Sequence, residues 1–221
     1  MESAADAYFK VMSSGDRTYL EPAALSYAQI NYDLQNYRKA LEAYENLSEV
    51  TIKDNVLVSA YAGAMRSKFG LQDYSGTIST AQTLLSQNKV TRELQREANY
   101  LIAKSYLIRG ERKSSRAIFE SLAQDRGDRF GAESEYILIL DSYDRGDFAD
   151  VEKRVYAFAD TNPEQVYWLA KSFITLGDSF ADRGDMMQAR ATFESIIEGY
   201  EPQNDSDDVL DQVRSRLKLM N

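Results

Sequence analysis

Apolar positions in this chain recur every three or four residues rather than every two, the period of helices with one buried face. The clearest run holds Phe173, Leu176, Gly177 and Phe180 on one side of a helix, and Ile102, Ala103 and Tyr106 repeat it, with Ala in place of Gly as the small contact residue. A second kind of run places a small residue four positions before a bulky one, at Ala5/Phe9, Ala40/Tyr44, Thr77/Ala81, Ser115/Phe119, Val151/Val155 and Ala189/Phe193. The first members stand 35 to 38 residues apart. A fixed period of this size signals a repeat in which each unit is one supersecondary element.

Short polar breaks precede the second kind of run at residues 34–37, 71–74, 109–112, 145–148 and 183–186. They are predicted to be helix-to-helix turns. Glycine there can take the left-handed conformation that closes one helix, and the Asp or Asn after it can accept from the free N–H groups of the next. The aromatic or Met that follows is expected to be buried at the start of the second helix. One helix pair cannot bury its apolar face alone, whereas stacked pairs make a continuous core.

Composition agrees: three prolines and eleven glycines interrupt a chain rich in helix formers, and almost no strand is expected. Residues 205–220 carry Val209, Leu210, Val213, Leu217 and Met220 at helical spacing behind Asp205, Asp207 and Asp208. Acid at a helix N-terminus is favourable, which predicts a capping helix here.

These features resemble the tetratricopeptide repeat family: a bulky residue, Leu-Gly, an aromatic, a Gly-Asp turn, then Ala-x-x-x-Phe. Phe173, Leu176, Gly177, Phe180, Gly184, Asp185, Ala189 and Phe193 match, with Pro202 near the expected exit. In the repeats at 55–87 and 131–163 the small-contact and aromatic places fall on Met65 with Lys68 and on Ile139 with Ser142, so those are placed by register. The resemblance implies an all-α, right-handed superhelical solenoid of antiparallel helix pairs with a C-terminal capping helix. Residues 1–16 are expected to be the second helix of a truncated repeat or an N-terminal cap. Residues 17–203 hold five repeats, at about 21–53, 55–90, 93–126, 131–163 and 166–202, and residues 204–221 hold the cap. The unpaired helix at 3–13 suggests the C-terminal part of a longer protein.

The family binds partner segments in a concave groove lined by the first helix of each pair. By register, the groove side chains are expected to be Tyr32, Arg66, Phe69, Tyr100, Lys104, Tyr136, Tyr143, Lys171 and Asp178, together with Leu25, Gln29, Leu140 and Ile174. Aromatic and Arg side chains anchor interfaces well because they bury much area at small entropic cost; the alternative is that the tyrosines only pack between helices. Some members clamp terminal carboxylates with Lys and Asn. The corresponding places read Leu25/Gln29, Ala62/Arg66 and Tyr100/Lys104, so that clamp is not reproduced.

Charge refines the expected partner. The formal net charge is −9, with 12 basic and 12 acidic residues up to Gly110 and 14 basic and 23 acidic beyond it. An acidic protein without a Lys/Arg run argues against nucleic acid. Arg66 and Lys104 against Glu133, Asp144, Asp178 and Asp182, partly offset by Lys171, predict a bipolar groove and a protein or peptide partner with acidic and basic ends.

Catalytic chemistry has little to work with. The sequence has no Cys and no His, so the usual nucleophile, general base and soft metal ligands are missing. No catalytic residue, metal or cofactor is expected. Asp-Arg-Gly-Asp occurs at 125–128, 144–147 and 182–185, and two copies fall on inter-helix turns, where they read as structural punctuation rather than adhesion motifs. No apolar run is long enough to cross a membrane and no secretion signal is visible, which predicts a soluble protein, periplasmic or cytoplasmic. A looser resemblance to bacterial envelope-associated repeat proteins is compatible with the periplasm, but the sequence carries no lipobox cysteine or signal to support it. The expectation is therefore a non-enzymatic protein-interaction scaffold; the alternative is a regulatory or targeting domain of a longer enzyme, sensor or envelope-assembly protein.

Overall fold

A computed structural model of the protein describes residues 2–13, 17–161 and 163–220. The expected N-terminal and capping segments therefore reach, at Met1, residues 14–16 and Asn221, outside the described residues. The described residues form α-helices only: α1 (Glu2–Ser13), α2 (Arg17–Asp33), α3 (Tyr37–Val50), α4 (Asp54–Gly70), α5 (Tyr74–Leu85), α6 (Arg92–Ile108), α7 (Arg112–Leu122), α8 (Arg129–Asp144), α9 (Phe148–Ala159), α10 (Val166–Asp182), α11 (Met186–Gly199) and α12 (Val209–Leu219). They divide into two compact units, Met1–Ile118 and Phe119–Asn221.

The turns work largely as the sequence suggests. Gly110, Gly146 and Gly184 have φ of 81°, 71° and 80°, the left-handed conformation that L side chains resist. Asp73, Asp147 and Asp185 accept from the backbone N–H of Gly76, Asp150 and Gln188. Asp128, in the first Asp-Arg-Gly-Asp, caps α8 by accepting from Gly131 at 2.8 Å. Two details differ. Gln35 and Gln72 take the glycine place at φ of 60° and 62°, and Asn36 makes no capping bond through its side chain. The left-handed turn is thus imposed by the helices on either side even where the residue does not favour it.

In the first unit, α1 packs on α2, α2 on α3, α3 on α4, α4 on α5 and α5 on α6. Small residues let these helices approach. Ala28, Ala40, Ala43 and Ala64 surround Tyr44, and Gly63 lies against the Tyr44 ring so closely that a Cβ could not be accommodated. Met65 and Ile102 join Ile78, Ala81 and Leu84 in the next layer. Tyr37 lies over Gly70, where a Cβ would come within 2.8 Å of its ring. α2 begins at Arg17, ahead of the expected start of the first repeat, and carries Pro22 inside it. A proline there has no N–H to donate to the carbonyl four residues back.

In the second unit, α10 packs against α8, α9, α11 and α12. Its core unites Ile139, Val151, Val155, Leu176, Phe180, Ala189 and Phe193 with Val209 and Val213 of α12. Gly177 meets the Phe193 ring as Gly63 meets Tyr44. Glu135, only 1% exposed, accepts from Arg126 at 3.1 Å and from Arg154 at 3.2 Å. Arg154 also reaches Asp150 at 2.9 Å and Glu120 at 2.5 Å. A buried carboxylate is tolerated only with such partners.

Five of the six small/bulky pairs are buried at both members, but Phe9 is 55% exposed although Ala5 is buried. Met186 is likewise 55% exposed, where the turn pattern predicts burial. Tyr37, Tyr74 and Phe148, its counterparts, pair with Tyr32, Phe69 and Tyr143 at ring distances of 5.4, 5.7 and 5.9 Å. The residue matching those three rings before Met186 is Ala181, which offers Met186 no aromatic partner.

Candidate functional site

In the first unit, α2, α4 and α6 wall a cleft of about 750 Å³. Leu25, Ile30, Val58, Ala62 and Leu94 supply its apolar surface, with the rings of Tyr44 and of Tyr8 of α1. Ser26, Gln29, Ser59, Thr91, Glu93, Arg66 and Glu97 supply the polar surface. The spacing of Leu25 and Gln29, of Ala62 and Arg66, and of Glu93 and Glu97, four residues each, places each pair on one helix face.

Across the cleft, Arg66 of α4 donates to both carboxylate oxygens of Glu97 of α6, through Nε and Nη2 at 2.6 Å each. The guanidinium is held above its ordinary pKa by these bonds, against the opposing effect of burial. Tyr44 donates to Gln29 Oε1 at 3.2 Å, and burial pushes its hydroxyl up to about 12. Gln29 in turn donates to Asp33 at 2.8 Å.

Of the groove residues expected in this unit, Arg66 lines the cleft together with Leu25 and Gln29. Tyr32 and Phe69 sit in the turn-bridging ring pairs, and burial raises the pKa of Tyr32. Tyr100 is buried, with the Lys104 ammonium 5.4 Å from its ring centre. For these three aromatics, packing is the dominant contact.

In the second unit two of the expected residues meet α12 or its N-cap, and two tyrosines meet α10. Asp178 of α10 accepts from Arg216 of α12 at 2.6 and 2.7 Å, and Lys171 approaches Asp208 at 3.4 Å. Tyr136 lies against Trp168 at 5.4 Å between ring centres. Tyr143 donates to Asp182 at 2.6 Å, which with burial pushes its hydroxyl up to about 12. Ile174, expected to face a ligand, is buried in the core. The cause is α12, which covers α10 on the side that register alone leaves open.

Arg66 and Asp178 occupy the same place, each five positions before the C-cap of its helix, Leu71 or Arg183. Each forms a two-pronged ion pair with the next helix of the same face, with the signs reversed. Sequence reasoning missed Glu97 and Glu93, yet Glu93, Glu97, Tyr100 and Lys104 follow one another at four, three and four residues. That stripe is readable once α6 is granted. Among the described residues no cluster of acidic, Cys or His side chains could hold a metal, and no helix is long and apolar enough to cross a membrane.

No protein-family model and no curated protein matches this sequence. Solved structures do. A tetratricopeptide repeat protein from Parabacteroides merdae shares 17% identity at a TM-score of 0.67, over 98% of this chain and 78% of that one. YrrB, described as a tetratricopeptide protein with an unusual peptide-binding site, shares 14% at 0.60, over 97% and 99%. BtubC from P. vanneervenii shares 14% at 0.61, over 92% and 91%. At this identity the likeness concerns the fold, and it agrees with the helix pairs, glycine turns and small-residue contacts described above. The chain is an all-α helical repeat protein with the tetratricopeptide fold.

Proposed function

We propose that this protein is a non-enzymatic interaction scaffold, and that the cleft between α2, α4 and α6 receives a segment of a partner protein. The observation that carries this reading is the cleft itself: about 750 Å³, lined by apolar side chains and by polar groups from three helices, the usual make-up of a binding site. A polypeptide suits it better than nucleic acid, since Arg66, the one basic side chain among the described lining residues, is already paired with Glu97. The division into five repeats, with α12 as a cap, belongs to the same reading. A second form of it has the cleft serve a longer enzyme, sensor or envelope-assembly protein as its binding or targeting part.

A partner with acidic and basic ends is less well supported. Arg66 and Asp178, two of the charges meant to orient it, are each held in an intramolecular ion pair, which leaves little net field for steering.

The test is selection of peptides from a random phage-displayed library on the 221-residue protein, with Ser59→Trp as the control. Ser59 is exposed and lines the cleft, so Trp there obstructs the cavity without entering the core. Selected peptides should bind the wild type and lose binding to Ser59→Trp. Peptides indifferent to the substitution, or no selection at all, would overturn the reading.

A further inference from the structure

The charges that line the cleft are not equivalent, and the difference bears on which segment it takes; the inference rests on the cleft being the binding site. Glu97 holds the Arg66 fork with both oxygens at 2.6 Å, and the two side chains are only 14% and 34% exposed. An incoming carboxylate could reach the guanidinium only by breaking a charge-assisted bidentate pair and leaving Glu97 half-buried beside it, a replacement with no net gain.

Glu93 stands in a different position. It lies one helical turn before Glu97, lines the cleft and is exposed. Its place in the first turn of α6 is favourable to a carboxylate, but the capping bond there is already made by Thr91, which accepts from Leu94 N–H at 3.3 Å. The lining therefore carries Glu93 and Glu97 against Arg66, an excess of one negative charge concentrated at the α6 end. The first unit as a whole has no acidic excess, so this charge acts at contact range rather than through a long-range field. Beside it lie Leu25, Val58, Ala62 and Leu94.

We propose that the cleft selects a cationic segment with an apolar anchor: a Lys or Arg seated at Glu93, next to a large aliphatic or aromatic side chain on Leu25, Val58, Ala62 and Leu94. Segments that present a carboxylate, including the free C-terminal end of a polypeptide, are refused because Arg66 is locked to Glu97. In this arrangement Arg66 is a positioning residue for Glu97 and the wall of the cleft, and Glu93 is the specificity determinant.

The experiment extends the library selection. Peptides selected on the wild type should be enriched in Lys or Arg adjoining a large apolar residue and depleted in Asp and Glu. Their affinity, read by fluorescence anisotropy with synthetic peptide, should fall roughly two- to fivefold with Glu93→Gln, the range an exposed ion pair supports. It should fall further with Glu93→Lys and weaken with added salt. Glu97→Gln, which frees the Arg66 fork, should admit a synthetic peptide with the selected apolar anchor and an acidic residue in place of the cation. Peptides that are blocked by Ser59→Trp yet carry no cation, or are unmoved by Glu93→Gln and Glu93→Lys, would overturn this specificity and leave the cleft reading standing. Peptides indifferent to Ser59→Trp, or none at all, would overturn both. Far-UV circular dichroism of each variant confirms that the helices are retained.

Discussion

Gly177 of α10 lies against the ring of Phe193 of α11 so closely that even a Cβ would collide with it. The helices cross where one has no side chain and the other has a large flat one. Gly184, seven residues on, has φ of 80° and open space where a Cβ would go. The two glycines are therefore kept for different reasons, one for packing and the other for backbone conformation.

Gly177→Leu is expected to lower the urea midpoint far more than Gly184→Ala. The first overpacks a core contact at roughly 1–3 kcal/mol or more. The second forces an L residue into the left-handed region at about 1 kcal/mol. Equal midpoints for the two variants would show that the ring contact is not what holds these helices together.

The opposite substitution should help at Gln35 and Gln72, which already occupy the left-handed region at φ of 60° and 62°. Gln72→Gly is expected to raise stability by up to about 1 kcal/mol, because relief of strain exceeds the entropy added to the unfolded chain. Chemical denaturation of Gln35→Gly, Gln72→Gly and the double variant measures it, with additive gains expected for turns this far apart.

Glu135 is buried between Arg126 and Arg154, so its removal leaves two guanidinium groups short of an acceptor. Glu135→Gln is expected to cost on the order of 3 kcal/mol. Arg126→Gln, which leaves Glu135 bonded to Arg154, should cost less. Thermal unfolding of the two single variants and the double variant separates the terms.

Several tyrosines titrate late. Burial pushes Tyr44 and Tyr167 from the ordinary 10.0 up to about 12, and the hydrogen bond to Asp182 does the same for Tyr143. The folded state holds these protons more tightly than the unfolded chain does. Their stabilising contribution is complete below pH 10 and is lost as the pH rises through about 12. Ultraviolet absorbance should show these hydroxyls ionising together with unfolding. Tyr143→Phe should remove one late-titrating group and leave the helical content intact.

Asp178 and Arg216 tie α12 to α10 at 2.6 and 2.7 Å, each about a quarter to a third exposed. A double-mutant cycle on Asp178→Ala and Arg216→Ala should give a coupling of about 1 kcal/mol or less at physiological salt. Val213→Ala should cost more, since that side chain is wholly buried in the core and its loss leaves a cavity.

The period of the small and bulky pairs, the glycine turns and the contact glycine at 177 are local properties. A helix period, a left-handed turn and a close approach each require particular residues at particular spacings, so the sequence by itself determined the all-α repeat. Which side chains face a ligand is a different matter, because it depends on what the neighbouring helices cover. Register offered Asp178, Lys171 and Ile174 as groove residues, but α12 engages the first two and the core takes the third. Arg66 was legible as a cleft residue; its lock on Glu97 was not, since thirty-one positions separate them in the sequence and no period links them. The aromatics behaved similarly: Tyr32, Phe69 and Tyr143 each meet a tilted or edge-on ring across the turn. Only the tertiary structure could decide these pairings, because the charge or ring that saturates a side chain is supplied by another helix.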